Sequence, residues 1–420
     1  MWHSRLFAIV CLIWCTGAIA LPAADLDRAV PRIGEPFLAS MTGLEPDWGV
    51  QLTTDDGVRV MAARDLVCWG HWRDQVGQAV CLVGRGGHLV AGLVSVAESE
   101  LIVESRVWQR THLPRHAVQG FVLHPSVDAL ERDRLCDRVA SHRGPQDRVW
   151  LSNGDELTGR LLPSSGDGEA NLFGLQSLQF QLPGASNSMA LDTTNVVAFA
   201  FGTHGDVSDA VQRGAAYVAF RDGSCLLAQA AREHDALMEL QLEKDVVLNT
   251  AKKTFYDEVT LVQPQTDDVL YLSSVEPASF RHVPYLDLSW PLMRNRSTVG
   301  GFLREGGNVY PLGLSMHSTA RAVYQLPPDY RVFAAELALD ESVGSEGSAI
   351  YRVLLELPAN RNSAGGWRLL YESPVVQGQA APLAVAIALQ GARRIALVVD
   401  FADRADTLDR ANWFNARLMK

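Results

Sequence analysis

The chain has 420 residues, more than one ordinary hydrophobic core accommodates, so two to four domains are expected. With 47% hydrophobic and 20% charged residues it has a globular rather than a disordered composition. A formal charge of −11 argues against nucleic-acid partners, which need clustered Lys and Arg against phosphate.

In chain order the first element is a leader. Arg5 precedes an apolar run from Leu6 to Cys15, and the small residues through Ala18-Ile19-Ala20 follow. This layout predicts a secretory signal peptide over 1–20, with cleavage after Ala20; an uncleaved anchor is the alternative, although the run is short for a bilayer. The expected localisation is therefore secreted, periplasmic or cell-envelope, with no stable membrane span. Cys68, Cys81, Cys136 and Cys225 remain outside the leader, scattered and without CxxC. They read as buried small apolar residues ahead of disulfides, and zinc is not expected.

A hairpin signature then recurs. "VWLSNGDELTGRLL" at 149–162 alternates apolar and polar residues around Asn153-Gly154, and related stretches lie at 81–94 and 218–231. In register, Gly86, Gly154 and Gly223 are each followed three residues later by Leu89, Leu157 and Leu226. Leu113, Val118 and Phe121 close the first copy as Leu191, Val196 and Phe199 close the second. The reading is a degraded β repeat at 34–72, in which Met61, Leu66 and Trp69 keep that spacing, and full repeats at 79–124, 148–203 and 216–264. A helical linker at 125–147 spaces Val127, Leu130, Leu135 and Val139 on one face. "SSGDGEAN" reads as a surface loop and "DVSDAVQRGAAYV" as a short helix. Units of four or five short strands suit small SH3-like or Sm-like β-barrels or stacked sheets.

From about Val275 longer alternating strands such as "RVFAAELAL", "AIYRVLLEL" and "RIALVVDFA" predict an antiparallel β-sandwich over 275–420. Its pieces resemble, in order, the NPCBM family of carbohydrate-binding modules. They are "PYLDLSW"; "VGGFLREGGNVYPLGLSMHS", with Gly313 and His317-Ser318; "AVYQLPPDYRVFAAELALD", with Asp340; and the ending "RIALVVDFADRADTLDRANWFNARL". Arg410 and Asn412 depart from the family's usual His and Asp, and "LPANRNSAGGW" replaces its usual short hairpin. The resemblance implies a galactose-binding-like jelly-roll β-sandwich and a glycan or envelope polysaccharide as partner.

The expected carbohydrate contacts are His317, Asn412 and Trp413, although a Trp in a strand-ending motif also serves to seal a core. Asp340 is the expected contributor to a structural Ca²⁺ site, with Asp400 and Asp409 as further oxygen donors or turn formers; otherwise no cofactor is expected. Trp290, Tyr310 and Arg410 are exposed candidates or loop-packing residues. His112 and His116 do not share a helix face and are not expected to bind metal. No G-x-S-x-G, H-E-x-x-H or P-loop is found, and no carboxylate pair is placed in a cleft. The leading reading is an exported, non-catalytic carbohydrate-binding protein. The alternatives are an envelope scaffold that binds proteins, and a glycoside-hydrolase-associated enzyme.

Overall fold

The computed structural model describes residues 26–84, 86–164, 175–202, 213–285, 287–359, 365–403 and 405–420. The leader and most of "SSGDGEAN" lie outside these residues, as does the start of "DVSDAVQRGAAYV"; the end of that stretch enters the strand Ala216–Phe220 rather than a helix.

The chain is mainly β. Before residue 265 it builds four units of one plan. The first has strands Asp27–Pro31, Phe37–Leu44, Val50–Thr54, Gly57–Met61 and Leu66–Gly70. It begins ahead of the expected residue 34 because Asp27–Pro31 pairs with both Phe37–Leu44 and Leu66–Gly70. The others open with Val80–Val83, Asp147–Leu151 and Ala216–Phe220 and close with Val118–Val122, Val196–Ala200 and Val259–Pro264. In each, the closing strand follows a helical turn (Ala63–Asp65, Arg115–Ala117, Thr193–Asn195 or Lys252–Glu258) and pairs back onto the opening strand. The hairpin glycines Gly86, Gly154 and Gly223 have φ of 74°, 90° and 95°, the left-handed region where only glycine is unstrained.

The units join edge to edge into a 16-stranded sheet, in the order third, second, fourth, first. The joins pair equivalent positions: Phe121 opposite Phe199, Trp69 opposite Val262, and Cys225 opposite His88. Each join is therefore a local two-fold, the isologous contact by which identical subunits also associate. Phe121 and Phe199 stack at 6.0 Å, and Trp108 meets Phe220 edge-on at 5.1 Å inside the core that all four units share.

A helix, Ala129–Ala140, is capped by the Asp128 side chain accepting from the Glu131 N–H. Cys136 and Val139 on it cover the join of the second and third units against Val122, Trp150 and Ala198. The four cysteines outside the leader are buried free thiols, with burial pushing Cys68 and Cys136 up to about 12. Among the described residues no helix is long and apolar enough to cross a membrane.

The C-terminal region is a sandwich of two sheets. One carries Met293–Arg294, Gly313–His317, Arg410–Met419, Val332–Leu339 and Leu383–Ala388. The other carries Ser279–His282, Ala320–Gln325, Arg394–Phe401, Ser348–Leu357 and Gly366–Glu372. The region starts before residue 275, since Val269–Tyr271 adds to the long strand Arg410–Met419.

The repeats and the sandwich share a junction core of Val67, Trp72, Cys225, Tyr271, Phe302 and Met419. Beside it, the helix grips a sandwich loop. Arg304 pairs with Asp133 and Asp74, both at 2.8 Å, Asp133 also accepts from the Phe302 N–H, and Arg296 pairs with Asp137 at 2.8 Å. Burial pushes the Asp133 carboxyl above its ordinary range, against the pull of Arg304. Asp74 is less buried, and there Arg304 and Arg132 overcome the burial penalty and hold the carboxyl low.

Candidate functional site

The strand Arg410–Met419 fixes what its residues can do. Side chains alternate between sheet faces, so Asn412 and Trp413 point oppositely. Trp413 points inward: it is 0% exposed, meets Tyr351 edge-on at 5.1 Å and lies near Phe333. It offers no face to a sugar ring, and the core-sealing role holds. Asn412 shares the outer face with His317 and Arg410, since His317 lies opposite Arg410 and Ser315 opposite Asn412. Asn412 is nevertheless 0% exposed, donating from Nδ2 to Asp340 at 3.1 Å.

Both Asp340 oxygens are engaged by hydrogen bonds within the domain. Oδ1 accepts from the Ser342 N–H and hydroxyl, capping the turn Glu341–Val343, and Oδ2 accepts from Asn412. Among the described residues no three His, Cys, Asp or Glu side chains converge as metal ligands. Asp400 binds the Thr319 hydroxyl and Arg352, and Asp409 accepts from the Ser318 hydroxyl and the Ser348 N–H. The residues proposed for Ca²⁺ do not fit a Ca²⁺ site, which takes six to eight oxygens. His112 pairs with Glu100 and His116 with Asp245, so these two histidines do not converge.

His317 ends the strand Gly313–His317 and is 6% exposed. Its Nδ1–H donates to the Ser318 carbonyl at 3.1 Å, which leaves Nε2 as an acceptor. Burial pulls its pKa down, so the ring is neutral at pH 7. The Trp290 indole lies parallel to it, with centroids 5.0 Å apart and planes 10° apart. His282 anchors the Trp290 backbone: its Nε2–H donates to the Ser318 carbonyl and its Nδ1 accepts the Trp290 backbone N–H at 3.2 Å. Tyr285 is 67% exposed and Leu288 64% exposed, with the Tyr285 N–H donating to Asp406. Arg410 closes one side, donating to the Ser342 hydroxyl at 3.0 Å. Burial pushes the Asp409 carboxyl beneath this rim up to about 6.

Of the expected contacts, only His317 belongs to this rim, together with Trp290 and Arg410 of the exposed candidates. Tyr310 lies elsewhere, stacked on Phe414 at 4.0 Å. His282, Tyr285 and Asp406 were missed in sequence. The signal for the first two was present, because "RHVPYLDLSW" crowds aromatic and imidazole rings into a stretch without strand alternation.

A curated relative, named "Putative endo-alpha-N-acetylgalactosaminidase" and from Renibacterium salmoninarum, is 28% identical over 117 residues, 28% of this chain and 7% of the relative. The chain thus spans only a small part of that protein. Among solved structures, CBM51-2 with INT domains of Clostridium perfringens ZmpB, in complex with GlcNAc, matches at 17% identity and a TM-score of 0.32 over 48% of this chain and 40% of that one. The CBM51 of C. perfringens GH95, in complex with methyl-galactose, matches at 20% identity and 0.30 over 36% and 99%. The tandem CBM51 modules of a Streptococcus pneumoniae family 98 glycoside hydrolase match at 12% and 0.30 over 94% and 98%. The model of the NPCBM/NEW2 domain family matches residues 268–419 of this chain.

Proposed function

We propose that this is an exported, non-catalytic carbohydrate-binding protein that takes a glycan at the rim formed by Trp290, His317, Tyr285 and Arg410. The observation that carries the reading is the Trp290 indole stacked on a neutral His317 beside an exposed Tyr285, within an NPCBM/NEW2 domain. Aromatic faces match the C–H face of a pyranose, and the His317 Nε2 acceptor and Arg410 donors match its hydroxyls. Binding is weak, because a shallow rim buries little area and must replace sugar–water hydrogen bonds. We further infer that the four units are SH3-like or Sm-like barrels displaying this domain at the cell envelope. The closing strand beside the opening one, after a helical turn, supports that reading.

A glycan array probed with the full chain is the test. Trp290→Ala is expected to weaken any hit by about tenfold or more, in line with an aromatic contact and its buried area. His317→Ala weakens it less, and EDTA leaves it unchanged. A folded chain that binds nothing across a broad array, with and without Ca²⁺, overturns the carbohydrate reading and favours the scaffold.

A further inference from the structure

The outward face of the second sandwich sheet carries a feature the rim does not explain. Arg281 and Arg321 are register partners on neighbouring strands, both exposed. Like charges directly opposite each other destabilise a sheet. Carboxylates are plentiful in this chain, 48 against 37 Lys and Arg, yet among the described residues neither arginine has an ion-pair partner. The neighbouring arginines do: Arg394 is held by Glu356 at 2.5 and 2.7 Å, and Arg352 by Glu372 and Asp400.

Arg321 is oriented by something else. Its guanidinium lies over the Trp367 ring, 4.6 Å from the centroid, with Arg394 5.4 Å from the same ring. Trp367 belongs to the edge strand Gly366–Glu372, three strands away in the sheet, so the two side chains reach toward each other across the face. Stacking uses the flat side of a guanidinium and leaves its in-plane N–H groups free, the geometry that grips a carboxylate. Leu369, on the same edge strand, is 52% exposed, and Val398, opposite Arg321, is half-buried. They supply apolar surface beside the two cations.

We propose that this sheet face is a second binding surface, for a polysaccharide bearing carboxylates, with Arg281 and the stacked Arg321 gripping acid groups while Leu369 meets the pyranose rings and Trp367 holds Arg321 in place. Charge complementarity selects this occupant: among the described residues these two exposed arginines have no ion-pair partner, and Trp367 orients one of them. The surface is separate from the rim and does not depend on it.

Affinity electrophoresis of the full chain through polygalacturonate, its methyl ester and dextran tests this. Retardation is expected by polygalacturonate alone and should weaken as salt rises. Arg281→Gln with Arg321→Gln reduces the affinity by about tenfold or more, since charge-assisted hydrogen bonds are lost. Arg321→Lys, which keeps the charge but not the planar fork, reduces it by a smaller factor. Trp290→Ala leaves the retardation intact, so failure here and failure at the rim are told apart. Equal retardation by the methyl ester overturns the proposal. So does polygalacturonate binding that the arginine variants do not change, or arginine-dependent binding to vesicles with anionic lipid but not to polygalacturonate.

Discussion

Among the described residues Arg304 makes the most buried ion pairs between the repeats and the sandwich, and replacing it with methionine tests that joint. Its side chain is 11% exposed, that of Asp133 is 5% exposed and that of Asp74 is 22% exposed. Arg304→Met leaves Asp74 its partner Arg132 but leaves Asp133 with only the Phe302 N–H as a close donor. Stranding a buried charge in this way costs about 3–5 kcal/mol. The sign with pH follows from Asp133, whose carboxyl burial already pushes up. A folded-state pKa above the unfolded one means that the folded protein takes up the proton first, so stability rises as pH falls through it. Without Arg304 that pKa climbs further, and the deficit is largest at pH 7.5 and shrinks toward pH 5. Adding Asp133→Asn restores part of the loss at pH 7.5, because the two changes act on one pair. Urea unfolding followed by tryptophan fluorescence at both pH values is the assay. An unchanged midpoint for Arg304→Met at pH 7.5 would refute the reasoning and leave the apolar junction core as what holds the two regions.

The sheet joins make a contrast between glycines. At Gly120 an added Cβ would lie 2.3 Å from the Phe199 carbonyl oxygen and 2.4 Å from Val139, so Gly120→Ala should cost about 3 kcal/mol or more by overpacking the join of the second and third units. At Gly154 the same Cβ meets nothing within 4 Å and only φ of 90° is strained, so Gly154→Ala should cost about 1–2 kcal/mol; equal losses in thermal melts would contradict the continuous sheet. Asp409, raised to about 6 by burial, costs stability at neutral pH that returns as pH falls from about 6 toward 4, by at most about 3 kcal/mol. Melting temperatures of wild type minus Asp409→Asn should therefore increase from pH 7.5 to pH 4.5, and a flat difference would remove the assignment.

The local part of the fold is legible because it rests on short-range rules. A hairpin glycine needs positive φ, and alternation needs a buried face; the aligned leucines Leu89 and Leu226 are indeed 0% exposed. The joining of units is not legible, because it depends on which backbone edges meet. Yet the repeat alignment held a trace of it: Phe121 and Phe199, equivalent by spacing, turn out to be direct partners across a join. The first strand, Asp27–Pro31, escaped because "DRAVP" is too short to show alternation, and it takes its place only from Phe37–Leu44 and Leu66–Gly70 on either side.

The site divides along the same line. His317 was identified from its motif; it ends the strand Gly313–His317, where it is 6% exposed and reaches the rim only beside the Trp290 indole stacked on it. Asn412 and Trp413 were taken from the same kind of motif, but they lie inside a ten-residue strand in which nearly every residue is buried. Past Arg410 at its half-buried start, a strand buried on both faces cannot offer a contact at either parity. The 295–303 loop is held down by Arg134, which donates to the Val299 carbonyl, and by Asp133, which accepts from Phe302. Asn412 is thereby enclosed, and the proposed rim rests instead on His317 and the half-buried Trp290, with Tyr285 67% exposed.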